Sequence, residues 1–109
     1  MARAVYRLVF AQQLFDHLRV IPLKHHPSIQ IALESLIQQP ATPTRNRKAL
    51  RMPNTLNASW ELRFGSANEF RAFYQILSDE QETEFIIFVI AVGMKQGNKL
   101  LIGLEEVAL

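Results

Sequence analysis

From Phe85 to Val92 the chain runs through eight consecutive apolar residues, FIIFVIAV. A helix needs ~20 such residues to cross a bilayer, so the run is too short to span one, and it is too apolar to lie in water. It predicts a buried strand, and the rest of the chain must supply its neighbours. At 109 residues and 49% hydrophobic, the chain fits one domain, residues 1–109, able to bury somewhat over ~60% of the surface that it exposes when unfolded. It contains no cysteine, which excludes disulfides, thiolate metal sites and thiol catalysis and suits a reducing cytoplasm. Arg3 and Arg7 interrupt the opening MARAVYRLVF, so neither a signal peptide nor membrane association is expected, and the expected location is cytoplasmic.

Periodicity divides the remainder. In AVYRLVF, residues 4–10, Tyr6, Leu8 and Phe10 alternate onto one face of a half-buried strand. The period then changes to a helical one, with Leu14, Phe15 and Leu18 on a single stripe and Pro22 ending that helix near Val20. Pro27 and Ser28 open a second helix with the stripe Ile29, Leu33, Leu36 and Ile37, closed by Pro40. Residues 40–58, with three prolines, read as a connector with a short strand or turn near Leu50. Four strands follow, SWELRF, FRAFYQIL, EFIIFVIAV and KLLIGL, separated by the turns GSANE, SDEQE and MKQGN. The order β-α-α-β-β-β-β implies an α+β domain, a mainly antiparallel sheet with both N-terminal helices packed on one face. Its expected core holds Phe10, Leu33, Trp60, Leu62, Tyr74, Ile87 and Val89, with Tyr6 also facing inward.

Alternation has a consequence for chemistry. If Trp60, Leu62 and Phe64 face the helices, Glu61 and Arg63 face away, and in the next strand so do Arg71, Phe73 and Gln75. Arg63 and Arg71 thus share a face, either as ordinary surface arginines or as a site. Charge is also uneven: residues 1–51 hold eight Lys/Arg against two Asp/Glu, or +6, while residues 52–109 hold four against eight, or −4. Within the first half, RNRKALR concentrates Arg45, Arg47, Lys48 and Arg51. Such a run attracts phosphates or an acidic protein segment, or simply solvates the chain. His17, His25 and His26 have no nearby cluster of carboxylates, so no metal site is expected.

Taken together, TRNRKAL, WELRFG, FRAFY and the closing AVGMKQGNKLLIGLEEVAL resemble, in order and spacing, the RelE/ParE superfamily of toxins from bacterial type II toxin-antitoxin systems. The resemblance covers essentially the whole chain and implies a RelE-like fold whose open sheet face carries function. RelE-like members are ribosome-dependent mRNA endoribonucleases that use no metal or cofactor, whereas ParE-like members inhibit DNA gyrase by protein binding; both are silenced by a cognate antitoxin. On this resemblance Arg71 is a phosphate-contacting residue, Arg63 a basic residue of the preceding strand, and Lys95 the basic residue after the Val-Gly turn. Such cations would stabilise the charge that develops when a ribose 2′-hydroxyl attacks its own phosphate. Arg45, Arg47, Lys48, Arg51 and Lys99 would contact further RNA phosphates. Many RelE-like nucleases place a tyrosine or histidine late in the chain for proton transfer, and MKQGNKLLIGLEEVAL has neither. Glu61 is then the nearest base, and a degenerate, inactive member is a further reading.

Overall fold

The computed structural model describes residues 4–109; Arg3, invoked above against a signal peptide, lies outside them. The apolar run occupies β5 (Glu84–Gln96), the longest strand of a seven-stranded sheet. The chain order is β1 (Val5–Phe10), α1 (Leu14–Arg19), α2 (His26–Glu34), β2 (Arg47–Ala49), β3 (Trp60–Phe64), β4 (Phe70–Ser78), β5, β6 (Lys99–Ile102) and β7 (Glu105–Glu106). Strands β2 to β7 lie side by side in sequence order and pair antiparallel, while β1 pairs parallel to β5. The domain is therefore α+β with a mainly antiparallel sheet, as expected, and it carries two more strands than the five predicted. One of them, β2, is the short strand anticipated in the connector. MKQGN is not all turn: β5 runs through Gln96 and reverses at Gly97 and Asn98.

The second helix is shorter than its sequence stripe because a 3₁₀ turn, Ser35–Ile37, finishes it. Leu14, Ile29, Leu33 and Leu36 are buried against Leu62, Ala72, Tyr74, Ile87 and Val89, and each such side chain contributes ~1.5–3 kcal/mol. Two expected core residues are not buried. Phe10 is 41% exposed and Tyr6 is 40% exposed, because β1 has β5 on one side only and no strand among the described residues on the other. Trp60 is half-buried, stacked beside Tyr74.

Tyr74 ties the sheet to the connector. Its hydroxyl donates to the Pro40 carbonyl at 2.7 Å, and burial pushes its pKa up to about 12 although Arg47 nearby works the other way. Tyr74→Phe should cost ~1–2 kcal/mol by leaving that carbonyl unpaired, read as a lower urea midpoint with an unchanged slope.

Strands β1 and β6 share one edge of β5 but leave a gap, since β1 stops opposite Val89 and β6 starts opposite Gln96 and ends opposite Met94. His17 of α1 fills it: its Nδ1 accepts from the Val92 N–H at 3.4 Å. Burial lowers the His17 pKa, with Asp16 opposing. A depressed folded pKa favours the neutral ring, so this stability is complete above the ordinary value of 6.5 and is lost as pH falls from there through the folded value. His17→Asn keeps an acceptor without titrating, and it should flatten the loss of urea stability that the parent chain shows on acidification below that value.

Candidate functional site

The face of the sheet opposite the helices is less open than alternation suggests. Ala58, Phe73, Ile90, Ala91 and Ile102 form a second small core there, with Leu50, Leu56, Leu100 and Val107 packed on it. Asn54 holds the connector over this core: its Oδ1 accepts from the Leu56 and Ala58 N–H groups at 3.1 Å, and its Nδ2 donates to the Ala58 carbonyl at 2.7 Å.

Beyond that core lies a polar cleft of about 320 Å³. Register assembles it. Arg63 pairs with Arg71, and Arg71 with Gly93, so two guanidinium side chains stand side by side over a position with no side chain. Like charges directly opposite on a sheet repel, and Glu61, 4% exposed and two residues before Arg63 on the same face, relieves the pair. Its Oε1 accepts from Arg63 Nε at 2.9 Å and lies 4.0 Å from Arg71 Nε.

Lys95 reaches the same cleft because of a bulge. The β4–β5 register pairs Phe73 with Ala91 and Tyr74 with Val89, leaving Ile90 as an extra residue. Before it Ile87 and Val89 face the helices; after it Val92 does, and Gly93 and Lys95 face the cleft. Asn98 and Glu106 to Leu109 complete the wall. Three cations and two carboxylates, Glu61 and Glu106, therefore line it, a surface suited to an anion.

The two arginines differ in access. Arg63 keeps a side chain 40% exposed, whereas Arg71 is only 7% exposed. Its Nη1 donates to the carbonyls of Asn68 and Phe70. This clamps a loop that opens on Gly65 at φ 86° and has Ala67 and Asn68 at φ 53°. A Cβ on Gly65 would come within 2.7 Å of the Phe70 ring. Burial, then the charge of Arg63, lowers the Arg71 pKa, with Glu61 opposing. The expectation of a solvent-facing Arg71 is thus corrected: the loop and the neighbouring strands close over it.

The remaining predicted cations do not form one groove. Arg47 pairs with Leu62 and so faces the helices, donating to the Gln39 carbonyl at 2.7 Å. Arg45 sits in the exposed turn leading into β2, Arg51 is exposed in the loop after it, and Lys48 pairs with Glu61 on the cleft face. Lys99 pairs with Gln96 at the end of the β5–β6 hairpin, one residue out of phase with Lys95 and its partner Leu100, and so faces away from the cleft. Sequence reading missed Asn98, Glu106 and the chain's last residues as cleft walls; nothing local in the sequence marks them.

The histidines serve the fold. His26 Nε2 lies 3.0 Å from the Leu18 carbonyl and 2.9 Å from that of Ile21, and His25 meets the Phe70 ring edge-on. Among the described residues no group of three or more His, Asp and Glu side chains is placed to hold a metal ion, and no helix is long and apolar enough to cross a membrane. Comparison with known proteins finds no matching family model, no similar curated protein and no similar solved structure.

Proposed function

We propose that the chain is a RelE/ParE-type toxin, with a RelE-like arrangement of its α+β fold, and that its cleft binds a backbone phosphate of ribosome-bound mRNA. The observation that supports this reading is the convergence of Arg63, Arg71, Lys95 and Glu61 in one cleft on the face away from the helices. In cleavage, the Glu61 carboxylate takes the proton of the ribose 2′-hydroxyl, whose oxygen attacks the adjacent phosphorus. Arg63 and Lys95 stabilise the charge that develops on the phosphate oxygens. The Lys95 ammonium protonates the departing 5′ oxygen, leaving a cyclic phosphate and a free 5′-hydroxyl. No metal or cofactor enters this scheme. Arg45, Lys48 and Arg51 hold flanking phosphates, and a cognate antitoxin keeps the protein silent in the cytoplasm.

A second reading is favoured by one feature of the same cleft. Glu61 is closed between two arginines, and among the described residues no tyrosine or histidine lines the cleft with it, an arrangement that binds an anion more readily than it transfers protons. On that reading the chain inhibits DNA gyrase by protein binding. Primer extension on ribosome-bound mRNA separates the two. Cuts within codons support the nuclease; growth arrest with intact mRNA and blocked supercoiling supports the gyrase inhibitor; neither effect identifies a degenerate member.

A further inference from the structure

We infer that the chain forms a two-fold dimer in which the outer edge of β1 pairs antiparallel with β1 of a second copy. This inference is independent of the proposed function. Native sheet edges are normally blunted by prolines, bulges or free charges, and β1 has none of these. Its one charged residue, Arg7, is held by Glu84 of the same chain at 2.9 Å. The other five residues, Val5, Tyr6, Leu8, Val9 and Phe10, are apolar or aromatic, and all but the half-buried Leu8 are exposed.

The backbone phase selects the register. Val5 N–H donates to the Thr83 carbonyl and Ala11 N–H to the Val89 carbonyl, both at 2.9 Å. Odd residues therefore bond inward to β5, and the peptide groups of Tyr6, Leu8 and Phe10 point outward. A two-fold axis normal to the sheet must pair residues of the same face and the same outward phase. Centring it on Leu8 sets Leu8 against itself and Tyr6 against Phe10 of the second copy. Each of these is a hydrogen-bonded pair, giving about six new backbone bonds. Centring on Arg7 would oppose two arginines, which is unfavourable, and centring on Val9 would leave Tyr6 without a partner.

The side chains agree with that register. Leu8 and Phe10 help line an apolar cavity of about 470 Å³ between β1 and the helices, together with Leu14, Phe15 and Leu18. Tyr6 of the second copy would stand beside Phe10 at its rim, covering surface that the monomer leaves in water. On the reverse face Val9 would meet Arg7 of the second copy, so apolar surface is covered on both sides of the pairing.

Sedimentation of the full chain should give twice the 12.5 kDa monomer mass, and a monomer at the highest soluble concentration would overturn the inference. Tyr6→Lys with Phe10→Lys, which opposes like charges across the axis, should give monomers with unchanged circular dichroism. Tyr6→Lys with Phe10→Glu should restore the dimer. Because the chain has no cysteine, Leu8→Cys supplies a single thiol on the axis, where a Cα separation of ~5.5 Å suits a disulfide. It should run as a covalent dimer after oxidation, whereas Arg19→Cys, exposed on α1, should not. A dimer in which Leu8→Cys fails to cross-link uses another surface and equally refutes the β1 pairing.

Discussion

Arg71→Ala is expected to lose ~2–3 kcal/mol of stability, since it removes a charged donor from two backbone carbonyls and leaves buried polar groups unpaired. For a domain of this size that is a fall of ~10–20 °C in melting temperature. The guanidinium is almost wholly buried and bonded to the Asn68 and Phe70 carbonyls, so its loss frees the left-handed loop at Ala67 and Asn68 and leaves Glu61 with Arg63 alone. Alternation in β4, taken by itself, makes Arg71 a surface residue whose removal would spare the fold. Calorimetry decides: a melting temperature within ~2 °C of the parent would show that the clamp contributes nothing.

On the proposed nuclease reading, Lys95→Ala should reduce mRNA cleavage ~100–1000-fold while changing stability by under ~1 kcal/mol, whereas Arg63→Ala should reduce cleavage as much and also cost ~1–3 kcal/mol, because it leaves the buried Glu61 carboxylate without its 2.9 Å partner. The Arg63 side chain is 40% exposed, and Lys95 lines the cleft without a carboxylate within salt-bridge distance among the described residues. Both can therefore turn to an incoming phosphate. Joint replacement of Arg45, Lys48 and Arg51 should instead weaken RNA binding in a salt-dependent way, lowering the slope of log affinity against log salt by ~0.7 for each phosphate that the variant no longer neutralises. Arg47 belongs outside that set, because its bond to the Gln39 carbonyl holds the connector. Unchanged single-turnover cleavage in both Arg63→Ala and Lys95→Ala would remove the cleft from the chemistry.

Local covalent geometry accounts for the features that could be read before the fold was known. The eight apolar residues of β5 had to be a buried strand, and Pro22 and Pro40 had to bound two helices. Strict alternation in WELRF and FRAFY placed Glu61, Arg63 and Arg71 on one face, because β3 and β4 pair without interruption. Other features depend on partners distant in the chain, and no local pattern carries them. The face taken by Lys95 hangs on one extra residue, Ile90, bulged opposite β4; the parity of Ile87 and Val89 alone would have sent Lys95 towards the helices, and only the family resemblance placed it in a site. Arg47 was separated from Lys48 by the pairing of a three-residue strand, too short for its phase to be read in advance. Burial diverged from facing for the same reason. Tyr6 and Phe10 face the helix layer yet stand exposed because β1 ends the sheet, and Arg71 faces away from it yet is buried because a loop closes over it. A side chain's direction is set within its own strand, whereas its cover is set by whichever segments the rest of the fold brings against it.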